Sequence, residues 1–333
     1  MSTAYQYYVS TLLVFWGVNT IAAWGLNLQF GISGVMNFAY IVFQAAGAYT
    51  AAVLTLGPQS ANGYQHYVGG ATLPFPLPLI AAAAVGALLA VPIGLIGLRR
   101  LRSDYQAMIF LVVALIATDV AESQSGLVNG TSGLFQIPQP LASEVNLSSI
   151  GYQWFYVGLA AAICLLVYVV VHRVTAAPLG RTLRAVRDSP EAAAAVGKDV
   201  TKLRMLVFVL GGAIAGLSGG LLVEYISAWA PGSWLYPETF VYLAVVIIGG
   251  RGNNFGVMVG ALLVPGFGEV TRFFPHLLNP QISAALEWMG IGAFMLVFMW
   301  FWPRGIFPER RRRFAATEPP PPRAAAEARV PGP

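Results

Sequence analysis

The chain has 333 residues, of which 57% are hydrophobic and 10% charged. Soluble domains carry about 45–50% apolar and about 25% charged residues, so this composition lacks the polar surface that water-soluble domains of such length require, and the chain belongs in a membrane. The same figures exclude disorder for most of it, the aperiodic 36 glycines exclude a collagen-like repeat, and the single Cys164 cannot form an internal disulfide. The net charge of +5 does not point to nucleic acid, because the basic residues sit in short stretches between long apolar runs, as topology signals do.

A helix needs about 20 apolar residues to cross a bilayer core. Runs of this kind predict spans at 8–28, 36–56 and 78–98, the last ending at Arg99, Arg100 and Arg102, then at 105–123 and at 154–171, which ends at His172 and Arg173. After a polar segment come 205–227, a short run at 239–248, 255–270 and 282–302, about nine spans in all, within a range of eight to ten. The short run ends in Gly249, Gly250, Arg251 and Gly252. It predicts a broken or re-entrant helix, because irregular backbone at membrane depth survives only where protein or a watery cavity surrounds it. Gly34-Val-Met-Asn37-Phe38 before the second span faintly echoes Gly252-Asn253-Asn254-Phe255 before the eighth.

Lysine and arginine set the orientation, since cytoplasmic loops keep positive charge and translocated loops largely lack it. No Lys or Arg occurs in 1–98, 103–172 or 205–250, and the basic stretches at 99–102, 173–204, Arg251 and 304–313 fall on one side when the spans are counted. That side is expected to be the cytoplasm of a bacterium, with the C terminus inside, the N terminus outside and the chain multi-pass in the plasma membrane. The loops at about 57–77 and 124–153 then face outward; Arg272 is the lone outer exception. No basic n-region precedes the first apolar run, so no cleaved signal peptide is expected. The membrane domain is expected to cover 1–307, and 308–333 to be a basic anchor followed by a disordered Pro- and Ala-rich tail with no chemistry.

Gly212, Gly216 and Gly220, with Gly211, Ala215 and Gly219 beside them, form a small-xxx-small ladder on one helical face, where missing side chains let another backbone approach. Helix packing rather than substrate contact is the expected role; Gly86, Ala90 and Gly94, and Gly256 with Gly260, extend the pattern. The largest polar loop carries Arg181, Arg184 and Arg187 at three-residue spacing, then Asp188, Ser189, Pro190, Glu191 and an alanine run up to Gly197. Ser189 or Asp188 can cap a helix, Pro190 suits its first position, Glu191 favours its positive end and Gly197 can stop it. Its alanine-rich body has little bulk to bury in lipid. A short helix outside the membrane, docking into a partner's groove, is expected.

Glu191-Ala192-Ala193, three residues and then Gly197 resemble the EAA-xxx-G loop of ABC importer permeases, the segment that docks onto the ATPase subunit. Four stretches look like the larger of the two permeases in branched-chain amino-acid ABC importers: Leu26-Asn27-Leu28-Gln29-Phe30-Gly31 through Gly47-Ala48-Tyr49-Thr50; Pro178-Leu179-Gly180-Arg181 through Gly197; Val246-Ile247-Ile248-Gly249-Gly250-Arg251-Gly252; and Trp302-Pro303-Arg304-Gly305-Ile306-Phe307. Asn253, Asn254, Gln44 and Tyr40 depart from that pattern, and Arg251 does so toward the related urea and short-amide permeases. The resemblance implies an all-α polytopic transmembrane helix bundle with a cytoplasmic coupling helix in the loop 174–204, and as docking residues Arg181, Arg184, Glu191, Ala192, Ala193 and Gly197. It also implies a second homologous permease subunit, two ATP-binding subunits and an external solute-binding protein as partners. The small-molecule substrate would be a branched-chain amino acid, with urea or short amides as the alternative. No Gly-x4-Gly-Lys-Ser/Thr loop is present to cradle phosphates, so ATP and Mg would reside in partner subunits, with no cofactor, metal or catalytic residue in this chain. The loop arginines could instead bind lipid phosphates, although a partner's acidic groups are the expected contact.

Polar residues inside the predicted spans are the candidates for a translocation path. Asp119 and Glu122 share a face of the fourth span beside Thr118, although near an outer end a wetted carboxylate is ordinary. Asn27, Gln29, Ser33 and Asn37 either line a break between the first two spans or form interhelical hydrogen bonds. Glu269 and Arg272 read as a local pair, and Glu224 and Glu287 as interfacial and structural. Two other classes compete. Gly31-Ile-Ser33-Gly34 fits the Gly-x-Ser-Gly pattern of rhomboid-like proteases, but so does Gly130-Thr-Ser132-Gly133, and His66, His172 and His276 lie at span ends or in loops, out of reach of a nucleophilic serine. An ion-coupled secondary carrier could protonate Asp119 and Glu122 in turn, yet it has no need of a helix shaped to receive an ATPase.

Overall fold

The computed structural model describes residues 3–59, 64–99, 103–142, 147–271 and 280–309, most of them helical. Helix α1 (Thr3–Leu26) continues as a π-helical turn (Asn27–Ile32), and after an irregular segment come α2 (Tyr40–Leu56), α3 (Leu77–Gly97) and α4 (Ser103–Ser123). A short α5 (Ser125–Val128) and strand β1 (Leu134–Phe135) lead to α6 (Ser149–Ala176), followed by α7 (Pro178–Asp188), α8 (Pro190–Ala195) and α9 (Val200–Ile226). Strand β2 (Ala228–Trp229) precedes α10 (Pro237–Gly249), α11 (Asn254–Thr271) and α12 (Pro280–Phe301). Six segments are long and apolar enough to cross a membrane, and Tyr40–Leu56, Asn254–Gly266 and Met289–Phe301 are shorter apolar helices. Among the described residues these match the nine predicted apolar runs one for one, with ends displaced by up to about two turns.

Helix α9 is the axis of the bundle. It is buried on nearly every side from Val207 to Tyr225, as expected of a helix that is apolar all round, and α1, α2 and α3 pack against it. Its glycines set how close they come. A Cβ at Gly216 would overlap the Ala82 carbonyl of α3, one at Gly212 would crowd Gly86 and Ala90, and one at Gly219 would overlap the Gln44 carbonyl of α2. From the other side, Gly47 of α2 abuts the backbone of Gly216. Helix α6 lays the ridge Tyr152, Tyr156, Ala160, Val167, Val171 and Thr175 inward and leaves Leu165, Leu166, Val169 and Val170 open. At the end opposite the arginines, β1 pairs with β2, Leu134 to Trp229 and Phe135 to Ala228, tying the loop after α5 to the end of α9.

Helix α10 corrects the re-entrant expectation. Pro237 opens it with Glu238 in its first turn, a 3-10 turn at Pro231–Ser233 leads in, and Pro231–Gly249 is one of the six full-length apolar segments. The apolar run understates the helix because its first turn is polar. The irregular backbone lies instead between α1 and α2. There the chain leaves its π turn and doubles back, with the Val35 N–H donating to the Gln29 carbonyl at 2.9 Å. Helix α2 then starts beside the first turn of α10, where the Ile41 N–H donates to Thr239 Oγ1 at 3.3 Å.

Candidate functional site

The loop between α6 and α9 folds into two short helices outside the bundle proper. Gly180 lies where a Cβ would overlap the Thr175 carbonyl, so α7 can turn tightly off α6. Helix α7 then presents Gly180, Leu183 and Val186 inward. Ser189 caps α8, its Oγ accepting from the Ala192 N–H at 3.3 Å. Pro190 and Glu191 occupy the first turn, and Gly197 ends the unit at φ +77°, a conformation that other residues resist. Ala193 packs inward, whereas Glu191, Ala192, Val196 and Gly197 are exposed.

The three arginines of α7 divide. Arg181 is exposed, but Arg184 and Arg187 turn inward onto the carboxylate of Glu309, which takes Arg184 Nε on Oε1 and Arg187 Nη2 on Oε2, the latter at 2.9 Å. Arg184 also donates to the Thr175 carbonyl at 3.1 Å. Arg187 donates to the Gly31 carbonyl and to Asp188 at 3.1 Å. The side chains of Arg187 and Glu309 are only 10% and 16% exposed. Burial works against the charge on Arg187, but Glu309 and Asp188 outweigh it and raise its pKa. Arg184, expected to dock an ATPase, is tied within the chain to Glu309 and the Thr175 carbonyl. Glu309, expected to begin an inert tail, belongs to the packed body, because a returning carboxylate satisfies two partly buried guanidiniums at once.

Backbone pairing brings Glu309 there. The Ile306 and Phe307 N–H groups donate to the carbonyls of Ile248 and Gly249 at 2.8 and 3.1 Å, and left-handed Gly250 and Gly305 meet face to face. The adjoining turn reaches α1. The Gly252 N–H donates to Asn27 Oδ1 at 2.9 Å, Asn27 Nδ2 donates to Asn254 Oδ1 at 3.1 Å, and Asn254 Nδ2 donates to Thr175 Oγ1 at 3.3 Å. Asn37 Nδ2 donates to Gln29 Oε1 at 2.8 Å, and Gln29 Nε2 donates to the Phe208 carbonyl at 2.9 Å. One connected network therefore joins the basic-end termini of α1, α6, α7, α10 and α11 to the segment after α12. Beside it opens a cavity of about 1010 Å³ walled by Phe30, Ile247, Arg187, Arg251, Arg304 and Glu309. Arg251 lies over the Phe30 ring at 4.9 Å, and burial, then repulsion by Arg187, lower its pKa.

The four candidate path residues do not come together. Asn27 and Asn37 are fully buried; Asn27 bonds across the bundle to Asn254 and Gly252, whereas Asn37 bonds locally to Gln29 and the Ala39 N–H. Asp119 and Glu122 are exposed on α4, while Thr118 turns inward and donates to the Ala114 carbonyl at 3.0 Å. Ser33 donates to the Gln29 carbonyl at 2.9 Å, and His172 stacks on Tyr168, so no histidine serves Ser33 among the described residues. Those residues also hold no metal-binding cluster. Glu224, expected at an interface, is 1% exposed. The Glu269–Arg272 pair, the Glu287 side chain, His276 and residues 310–333 lie outside the described residues. Sequence reasoning missed Glu309, whose only local signal was a lone acid beside an arginine run. Replacing Asn27 with alanine is expected to leave the Gly252 N–H and one side of Asn254 unpaired. A loss of about 1–3 kcal/mol, read as a lower unfolding temperature of the purified protein, should follow.

The family model for the permease component of branched-chain amino acid transport systems matches residues 8–299. The high-affinity branched-chain amino acid transport system permease LivM of Salmonella typhimurium is 28% identical over 308 residues, covering 86% of this chain and 67% of its own length. A probable branched-chain amino acid transport permease, LivM of Methanocaldococcus jannaschii, is 24% identical, covering 91% of this chain and 94% of its own. The fructose import permease FrcC of Rhizobium meliloti is 31% identical but covers 39% of this chain and 37% of its own. No solved structure matches the chain at a significant level. A family match spanning all nine apolar helices identifies a multi-pass inner-membrane transport subunit: the chain belongs to the family of permease components of branched-chain amino acid transport systems.

Proposed function

We propose that this chain is the permease subunit of an ATP-driven ABC importer that carries branched-chain amino acids (leucine, isoleucine and valine) into the bacterial cytoplasm. It would work with a second homologous permease, two ATP-binding subunits and an external solute-binding protein. Family membership supports the transport class over an ion-coupled carrier. Relatives named for branched-chain amino acids match over 86% and 91% of the chain, against 39% for the fructose permease, which favours amino-acid cargo over urea or short amides. The clustering of arginines supports a cytoplasmic basic end, with the N terminus outside.

The observation that carries the coupling reading is α8, which stands outside the bundle with Val196 73% exposed beside the Glu191-to-Gly197 unit. Behind it, α7 is fastened to α1 and to the C-terminal segment through Arg184, Arg187 and Glu309. A displacement of α8 by a docked ATPase would therefore pass into the broken end of α1 rather than be lost in a slack loop. Arg181, the exposed arginine, is the basic group left to meet a partner's acidic surface or lipid phosphates.

Reconstitution tests the reading. The assembled complex in liposomes is expected to concentrate leucine when supplied with binding protein and ATP, and this chain alone to concentrate nothing. Replacing Glu191 with alanine and Gly197, at φ +77°, with valine should lower ATP-driven uptake by roughly tenfold or more while the permease stays inserted and monodisperse. Unchanged uptake and unchanged stimulation of ATP hydrolysis would remove α8 as the docking element.

A further inference from the structure

The end of the bundle opposite the arginines holds a second cavity, of about 380 Å³, walled among others by Thr55 at the end of α2, Thr72 and Phe75 before α3, Pro140 after β1, and Glu224 of α9. Glu224 is 1% exposed, and its Oε2 is buried without a hydrogen-bond partner among the described residues. A carboxylate taken out of water is ordinarily matched by a cation or a set of donors. Here Oε2 meets neither among the described residues, and the Gln139 amide of the wall donates instead to the Tyr225 carbonyl at 3.5 Å. Among the described residues no Lys or Arg lines the cavity, and none occurs in 1–98, 103–172 or 205–250, which include every lining residue. The lining prolines at 74, 78, 138 and 140 bring carbonyls and apolar rings but no N–H. On α6, the hydroxyls of Tyr152 and Tyr156 donate elsewhere, to the carbonyls of Pro140 at 2.9 Å and Leu221 at 2.6 Å.

A carboxylate with one unpartnered oxygen, backbone acceptors and a largely apolar wall complement a small molecule with an ammonium group and an aliphatic body. We propose that this cavity binds the incoming amino acid on its outer side, with Glu224 as the ion-pair partner of the substrate ammonium group; the assignment rests on reading the chain as an amino-acid importer. Its position suits that role. Helix α9 runs unbroken from Val200, just past the α8 unit, to Ile226, just past Glu224, so the substrate and the ATPase would bear on opposite ends of one rod.

The test uses the assembled importer with Cys164→Ser and a single cysteine introduced by Thr72→Cys, at an exposed position on the cavity wall. The thiol is modified with cationic MTSEA or anionic MTSES, each rate being corrected for its rate with a free thiol. The cationic reagent is expected to react faster by roughly tenfold, and that preference to collapse in the isosteric Glu224→Gln background. Leucine should slow modification, whereas isocaproate, the same skeleton without its amine, should not. Labelling reads the cavity even in a variant that no longer transports. If the charge preference survives Glu224→Gln, the site is overturned. If leucine gives no protection while the same preparation still drives ATP-dependent leucine uptake, the site is overturned and the proposed function stands.

Discussion

Replacing Gly216 with valine is expected to leave little folded protein to assay. A Cβ there would overlap the Ala82 carbonyl and sit 3.2 Å from the Gly86 Cα, so backbone, not a flexible side chain, has to yield. Helix α3 cannot back away freely, because α9 is held on its other side by α2, where Gly47 abuts Gly216 and Gly219 abuts Gln44. Overpacking that side chains can absorb costs about 1–3 kcal/mol. Forcing two helices apart along a shared ladder should exceed that range, which is large against the total stability of about 5–15 kcal/mol typical of folded domains. The check is monodispersity and thermal unfolding of the detergent-purified variant beside Gly158→Ala, whose new methyl meets no atom within 4 Å and which should gain about 0.5–1 kcal/mol from helix propensity. If Gly216→Val unfolded like the parent and only failed to transport, the ladder would be a substrate face rather than a packing face.

The second large effect is expected from Glu309→Ala. It strips Arg187, 10% exposed, of its main carboxylate and Arg184, 30% exposed, of the only one it meets among the described residues. Breaking a fully buried ion pair costs about 3–5 kcal/mol because an uncompensated charge remains. Water reaching Arg184 offsets part of this, leaving about 2 kcal/mol. Since most of that cost is the abandoned charge, Arg187→Ala combined with Glu309→Ala should destabilise by less than the two single changes summed, with a coupling of about 1 kcal/mol. Thermal unfolding of the four-member cycle measures it, and burial predicts only weak dependence on salt. Strict additivity would mean that Glu309 and Arg187 do not act as a unit and that α7 is held by its apolar face alone.

The sequence by itself determined the membrane class, the nine apolar helical runs, the end at which the arginines gather and the capped unit from Ser189 to Gly197. Each of these is imposed locally: a bilayer tests every window of about 20 residues for apolarity, and a helix cap acts over three or four residues. Only the tertiary structure decided which polar groups meet. Asn27 finds Asn254 and Gly252 across 227 and 225 residues, and Glu309 finds Arg184 and Arg187 across 125 and 122, distances over which no local pattern carries information. The carboxylates make the same point. Asp119, Glu122 and Glu224 all lie near the ends of apolar helices opposite the arginines, and in sequence they look alike. Helix α4 turns the first two outward, whereas α9 is enclosed by its neighbours on nearly every side and buries the third against a cavity.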